Sequence, residues 1–510
     1  MSVAAKIKRA AQLGLLAGEL VKSAVSRNPH NPSRISDRMG SMHGLPQKIG
    51  QMLSLREFES VDKVFTGLTQ GRNTLPKERV FQELERALGG PLSRWFESID
   101  GEGLSASLGQ VHRARLRGGQ EVAVKLQYPG IAEAVRQDLS MLGVLAMPMG
   151  GYRRGFDVSG YRREMGLRLA EELDYRQEAK RMREFTNLLS GAADMRVPQP
   201  IEELSGLTFL TTTWLENVPL EAALHWSEPA RKSLGETLLR LFFMSIFKWR
   251  LLHADPHAGN YRFALENGRP ILILLDFGCV KEIPRSFSRE LRRLIEIANP
   301  QNSPVSNERL LQCYSALGFN RELLEPMKDK LLHLARALLA PFHSEQDFSI
   351  KDWNLSEDFT QILGDLKWNF RVAGSPELLY VLRAWQGLLC YLKALKVAVS
   401  WRSIYEEVTH GLPAVNLQPE AAPTLKVHTV KSNRLKIRVT ENDSVKVELT
   451  FSAEAVERLY ELVPENLQSR LLEKKVDVRN IARLATENGF PHGVLFEDEQ
   501  GSKSVKVWLE

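Results

Sequence analysis

What most constrains this chain is a polar interruption in apolar surroundings. LLHADPHAGN, residues 251–260, sets His253, Asp255, His257 and Asn260 beside a run that continues as ILILLDFG, residues 271–278, and ends on Asp276-Phe277-Gly278. Carboxylates and amides taken out of water must be paired, hydrogen-bonded or bound to a cation. A fold that buries this stretch therefore gathers these groups around a ligand. The spacing fits one chemistry well. His253-x-Asp255 followed by Asn260 has the H-x-D-x-x-x-x-N pattern that puts a carboxylate beside a phosphoryl acceptor and an amide oxygen on a magnesium ion. Asp276, sixteen residues after Asn260 at the end of an apolar strand, is placed as the second metal ligand.

Upstream, EVAVK ends on Lys125, where a strand lysine reaches the phosphates of a nucleotide. Before it, LSASLGQV offers small residues, Ala106 and Ser107, at a bend over those phosphates. Gly109-Gln110-Val111 stands where a glycine-rich loop closes in G-x-V. Each residue alone reads as a helix cap, a turn or a surface lysine. Their order and spacing together point to a nucleotide site.

At 510 residues the chain exceeds what one core serves, so two or three domains are expected. A hydrophobic content of 43% and a charged content of 25% exclude fibrous and disordered classes. The net charge of +6 is spread along the chain. It suits anionic ligands or an anionic membrane surface and gives no concentrated patch for nucleic acid, which is not expected as a partner. Cys279, Cys313 and Cys390 have neither disulfide-framework nor zinc spacing, which suggests a reducing, cytoplasmic setting. No run of about 18 apolar residues occurs, so no transmembrane segment is expected. LLRLFFMSIFKWRLL carries Arg240, Lys248 and Arg250, and LLYVLRAWQGLLCYLKALKVAV carries Arg383, Lys393 and Lys396, so both read as buried amphipathic helices. Residues 1–25 are basic and broken by Glu19, a poor signal peptide. They suit either a helix packed on the protein or one lying on the inner face of a membrane.

The expected fold is α+β, with a small sheet-bearing lobe followed by a helical lobe. Residues 1–100 read as a helical extension, with PKERVFQELERALGG ending on a glycine stop. Residues 101–225 open with a hairpin across Gly118-Gly119, and a helical stretch follows over about 131–189. Residues 226–409 are helical around the quoted motifs, with one long helix expected over 228–252. A Pro- and Ala-rich linker spans 410–425, and 426–510 reads as a small α+β accessory domain of two hairpins and two helices.

Three further motifs carry a resemblance. KIGQ (Lys48 to Gln51), ELD (Glu172 to Asp174) with YRQEA after it, and HADPHAGN resemble the KxGQ, ExD and HxDPHPGN signatures of the UbiB/AarF family of atypical kinases. The resemblance covers about residues 40–400 and implies a bilobal protein-kinase-like fold using ATP and Mg2+. It implies that Asp255 is the catalytic-loop acid, that Asn260 and Asp276 bind magnesium, and that Lys125 contacts phosphate. Glu178 would orient Lys125, while Glu172 and Asp174, with Lys48 and Gln51, would close over the site. The family's nucleotide loop is Ala-rich, whereas Leu104-Ser105 replace alanines here, and Ala258 replaces a proline.

The implied activity is phosphoryl transfer to a small or lipid-like acceptor, or ATP hydrolysis, in support of isoprenoid-quinone (ubiquinone) biosynthesis. The rival class is a nucleotide-binding pseudokinase scaffold acting through its C-terminal module. Retention of Asp255, Asn260 and Asp276 favours catalysis. An ordinary protein kinase is disfavoured, because CVKEIPRSFSRELRRLIEIA runs from Asp-Phe-Gly almost directly into a helix, without Ala-Pro-Glu.

Overall fold

Alternation along residues 109–127 decides the first layer. In EVAVKLQ, Val122, Val124 and Leu126 are buried on one face, and period two turns Lys125 to the other. A computed structural model describes residues 75–135 (except 107), 171–417 (except 376–377) and 432–510, the last with short breaks at 442–443, 465–466, 469, 472–477, 488–489, 491–492 and 501–502. Strands β1 (Phe96–Ile99), β2 (Leu104–Ser105), β3 (Gly109–Leu116), β4 (Glu121–Gln127) and β6 (Phe209–Thr213) form an antiparallel sheet in the order β1-β3-β4-β6, with β2 on β3.

Helix α1 (Lys77–Leu88) buries Val80 and Leu84 against the Val122 face of this sheet. It stops at Gly89, whose left-handed φ of 73° turns its N–H back to the Glu85 carbonyl. The extension expected to be helical up to residue 100 is corrected here. Its last twenty-odd residues belong to the sheet lobe, because α1 and Phe96 share one core with Ala114 and Leu126. The rest of the extension, residues 1–74, lies outside the described residues.

Helix α2 (Tyr175–Leu188) buries Tyr175, Glu178, Ala179, Met182 and Phe185, a helical stripe that joins the core of the second lobe. That core is built on α3 (Glu228–Phe243), α4 (Arg285–Ala298), α5 (Leu378–Leu395) and α6 (Trp401–Thr409), with shorter helices between α4 and α5. The helix expected over 228–252 ends sooner. It widens into a π turn at Met244–Lys248, Arg250 takes a left-handed φ of 57°, and β7 (Leu251–His253) begins. Its partner is β10 (Val280–Glu282). Between them, β8 (Tyr261–Glu266) and β9 (Arg269–Leu274) make a hairpin to which β5 (Met195–Arg196) adds in parallel. A short ladder joins β11 (Phe348–Ser349) to β12 (Ala398–Val399).

The chain divides into two compact units, Met1–Gln418 and Pro419–Glu510. The second has its own core, in which Leu435, Ile437, Val507 and Leu509 of an antiparallel sheet meet Val456, Leu459 and Ala482. Its strands are β13 (Arg434–Glu441), β14 (Ser444–Ser452), β15 (Gly493–Gln500) and β16 (Lys503–Leu509), in the order β14-β13-β16-β15, and α7 (Val478–Glu487) lies among its helices. Among the described residues, no helix is long and apolar enough to cross a membrane.

Candidate functional site

The sixteen-residue spacing from Asn260 to Asp276 is the length of one hairpin. Asn260 immediately precedes β8 and Asp276 follows β9 by one residue; Tyr261 pairs with Leu274, and Leu275 N–H donates to the Asn260 carbonyl at 2.9 Å. Asn267-Gly268 makes the turn with φ values of 52° and 79°, the left-handed pair of a type I′ hairpin. The hairpin thus brings two oxygen-donor side chains to one end. Asn260 Nδ2 donates to the Asp255 carbonyl at 3.1 Å, which fixes the amide and leaves Oδ1 as the end available to a cation.

Asp255 lies in the loop between β7 and β8, pinned by Ala254 N–H to the Cys279 carbonyl and His257 N–H to the Asp255 carbonyl. His253 donates through Nε2 to the Asp276 carbonyl, tying this loop to the Asp-Phe-Gly segment. Burial pushes its pKa down, so the ring is neutral. Phe277 packs into the helical core against Phe185 (centroids 5.0 Å apart) and His253 (5.3 Å).

Lys125 joins the lobes. Its Nζ lies 2.8 and 3.0 Å from the two Glu178 oxygens and 2.9 Å from Asp276 Oδ2, with the Tyr175 ring beneath it at 5.0 Å. Burial works against its charge, but the Asp276 and Glu178 carboxylates outweigh it and hold the ammonium well above its ordinary pKa. Glu178 shows the opposite balance. Burial pushes its carboxyl up to about 7 against the pull of Lys125.

The expected loop residues sit beside this cluster. Val111 pairs across the ladder with Lys125, and Ala106 N–H donates to the Gly109 carbonyl at 2.8 Å. A Cβ on Gly109 would stand 2.2 Å from the Leu126 carbonyl oxygen and 3.0 Å from Tyr175 Oη, so no larger residue fits there. Glu172 is buried against Gly278, its Cγ 3.3 Å from where a Cβ would be. Asp174 stands apart: its carboxylate caps α2 through Arg176 N–H (3.1 Å) and pairs with the Arg176 side chain at 2.8 Å. Lys48, Gln51 and Ser107 lie outside the described residues.

One residue was missed. Arg383 of α5 donates to Asp255 Oδ1, and both side chains are less than one-tenth exposed. The signal was present, since Arg383 falls among Tyr380, Val381, Ala384 and Gly387 on the buried stripe of α5. Four carboxylates (Glu172, Glu178, Asp255, Asp276) thus share the site with two cations (Lys125, Arg383). With all of them ionised, the set carries two negative charges in excess, and its hard oxygen donors suit magnesium.

This geometry meets a matching family. Residues 67–306 match the ABC1 atypical kinase-like domain. The chain carries an ABC1 atypical kinase-like domain. The UbiB-type resemblance read from the motifs therefore holds, and the ABC1 domain contains Lys125, Glu178, Asp255, Asn260 and Asp276. The atypical kinase coq-8, mitochondrial, of Caenorhabditis elegans is 28% identical over 404 residues, which cover 76% of this chain and 53% of that protein. The atypical kinase COQ8, mitochondrial, of Saccharomyces cerevisiae is 27% identical over 387 residues, covering 74% and 76%. The chain therefore spans about half the length of the worm relative. A Mycobacterium tuberculosis protein solved with erythromycin is 25% identical, with a TM-score of 0.49 and coverage of 80% of this chain and all of that one, too loose a likeness to carry residue roles across.

Proposed function

We propose that the ABC1 domain binds ATP with Mg2+ in the cleft between the lobes. It then transfers the terminal phosphoryl group to water or to a small, lipid-like acceptor, in support of isoprenoid-quinone biosynthesis. The observation that carries the reading is the three-way contact of Lys125 with Glu178 and Asp276, which joins strand, helix and Asp-Phe-Gly segment at one point. A phosphate-binding lysine is useful only when it is held charged and aimed; Asp276 and Glu178 together favour its charge, and Glu178 aims it. Asn260 and Asp276 would hold the magnesium, which neutralises phosphate charge as the bond to the leaving group breaks. Asp255 orients the attacking hydroxyl and accepts its proton. Gly109 lets the β2–β3 turn approach the sheet closely enough to cover the phosphates.

The acceptor class follows from what comes after Gly278. Only β10 and two further residues separate Cys279 from α4. A peptide substrate needs an extended platform beside the catalytic acid, and this connection is too short to build one. Lys48 and Gln51 would complete the cover over the phosphates, and residues 1–25 would give weak contact with an anionic membrane surface. The quinone connection rests on the names of the worm and yeast relatives and on the UbiB-type motifs.

The test combines binding and turnover. MgATP at a hundredfold excess over its dissociation constant stabilises a binding state by about 2.7 kcal/mol. The wild type should therefore melt higher with MgATP, and Asp276→Asn much less. Phosphate release should be slow, rise with anionic liposomes in the full chain but not when residues 1–25 are deleted, and leave peptide libraries unlabelled. Equal melting shifts in wild type and Asp276→Asn would sink the nucleotide site; robust peptide labelling would sink the acceptor assignment.

A further inference from the structure

The helix that faces the catalytic loop is shaped to grip it. Arg383 and Gly387 lie one turn apart on α5 and point the same way. A Cβ on Gly387 would stand 2.1 Å from Pro256 Cγ and 2.7 Å from its Cβ, so helix and loop approach more closely than any side chain allows. At that approach the Arg383 guanidinium reaches Asp255 Oδ1. Close packing of the Gly387 turn on the Pro256 ring and charge contact at Asp255 thus fix adjacent residues of the same loop from the same helix face.

We infer that Arg383 is a positioning residue for the transfer step: it pairs with the Asp255 carboxylate and holds it in one orientation where the acceptor is met. The inference rests on the nucleotide-site reading above. A buried guanidinium could serve stability alone, but three observations favour position. The partner is the acid of the H-x-D motif rather than a framework residue. Gly387 gives up a side chain at the next turn to bring helix and loop together. The Glu172 carboxylate of the ELD motif also favours the Arg383 charge, so two motif carboxylates act on the guanidinium. The Asp255 contact also closes a chain of fixed groups, because Asn260 is held by the Asp255 carbonyl and precedes the hairpin that ends at Asp276.

A positioning role makes a specific kinetic forecast. Arg383 bonds the catalytic-loop acid, whereas the phosphate-facing lysine is held by Glu178 and Asp276, so loss of Arg383 should fall on kcat and spare nucleotide binding. An ångström-scale misplacement of a reacting group costs about a hundredfold. Arg383→Gln should therefore lower the kcat for phosphate release by about that factor, while KM for ATP and the MgATP melting shift stay within about twofold of wild type. Arg383→Lys keeps the charge without the planar fork and should recover part of the loss.

Arg383→Gln leaves a buried carboxylate without its cation, so a second comparison guards against a folding failure. Asp255→Asn/Arg383→Gln removes both charges of the pair, and Asp255→Asn leaves Arg383 with the Glu172 carboxylate. If Arg383 acts through Asp255, they should show the same residual turnover. A wild type that neither melts higher with MgATP nor releases phosphate overturns the nucleotide-site reading and this role with it. A wild type that does both, with a further loss in the double variant or a changed KM in Arg383→Lys, overturns the role of Arg383 alone.

Discussion

Glu178 is a carboxyl in the middle of an apolar helix stripe, and its proton should be visible in the stability of the protein. Burial raises its folded pKa to about 7 from an ordinary 4.5. Between those values the unfolded chain releases the proton and the folded protein keeps it, so the folded state binds more protons. Stability then falls as pH rises. This contribution is fully present below pH 4.5 and gone above pH 7. One proton is worth about 1.4 kcal/mol per pH unit, or about 3 kcal/mol across the interval.

Glu178→Gln has the same shape and no proton to lose. The buried groups that it leaves in place do not confuse the comparison. Lys125 stays charged through its remaining contact with Asp276, and His253, held neutral by burial, contributes equally to both proteins. Urea unfolding between pH 5 and 8, followed on the transition that MgATP moves upward, should show the wild type losing stability relative to Glu178→Gln by about 1.4 kcal/mol per unit up to pH 7, and no further above it. Curves that run parallel throughout would mean that Lys125 holds Glu178 ionised at every pH tested, and the reasoning from burial would be wrong.

Two other outcomes follow from the packing. Gly109→Ala drives a methyl into the Leu126 carbonyl oxygen, which the β3–β4 ladder holds in place, so it should cost about 1–3 kcal/mol. Calorimetry should show that cost together with loss of the MgATP shift; a variant that binds normally would show that the turn over the phosphates has other freedom. Residues 419–510 expressed alone should melt cooperatively, because their core is built from their own residues; a non-cooperative melt would show that the core needs the first unit.

How much of this was legible depended on whether the decisive contact was local. The β3–β4 hairpin and Lys125 at its end were readable because one face is buried and the other lines the cleft, which leaves clean alternation. Strand β9 reads as a continuous apolar run, since most of it is buried on both faces, and β8 went unread although Asn267-Gly268 between them is a strong hairpin signal. Strand β1 is four residues long, too short to alternate, so the lobe boundary fell at residue 100 rather than before α1. Asp174 looked like part of a motif closing the site, and its place just before a helix had the alternative meaning of an N-cap. Arg383 was counted as a charge that merely interrupts an apolar run. Its meaning came from a partner 128 residues away, and only the position of Gly387 on the same stripe hinted that something packed closely there.

The same distinction explains the charge pattern of the cleft. Lys125 is shared between Glu178 and Asp276, so the lysine proposed to meet phosphate and the carboxylate proposed to meet magnesium neutralise each other. In the proposed reading, nucleotide must separate them. A phosphate oxygen would then take the place of Asp276 on the lysine, and Asp276 would hold magnesium in place of the ammonium. Each charge exchanges one partner for another of the same sign, and neither state leaves a buried charge alone, the condition that would cost most. Glu178 does not take part in the exchange. It keeps Lys125 aimed in both states, which is why a carboxyl survives on a helix stripe where packing alone would favour leucine.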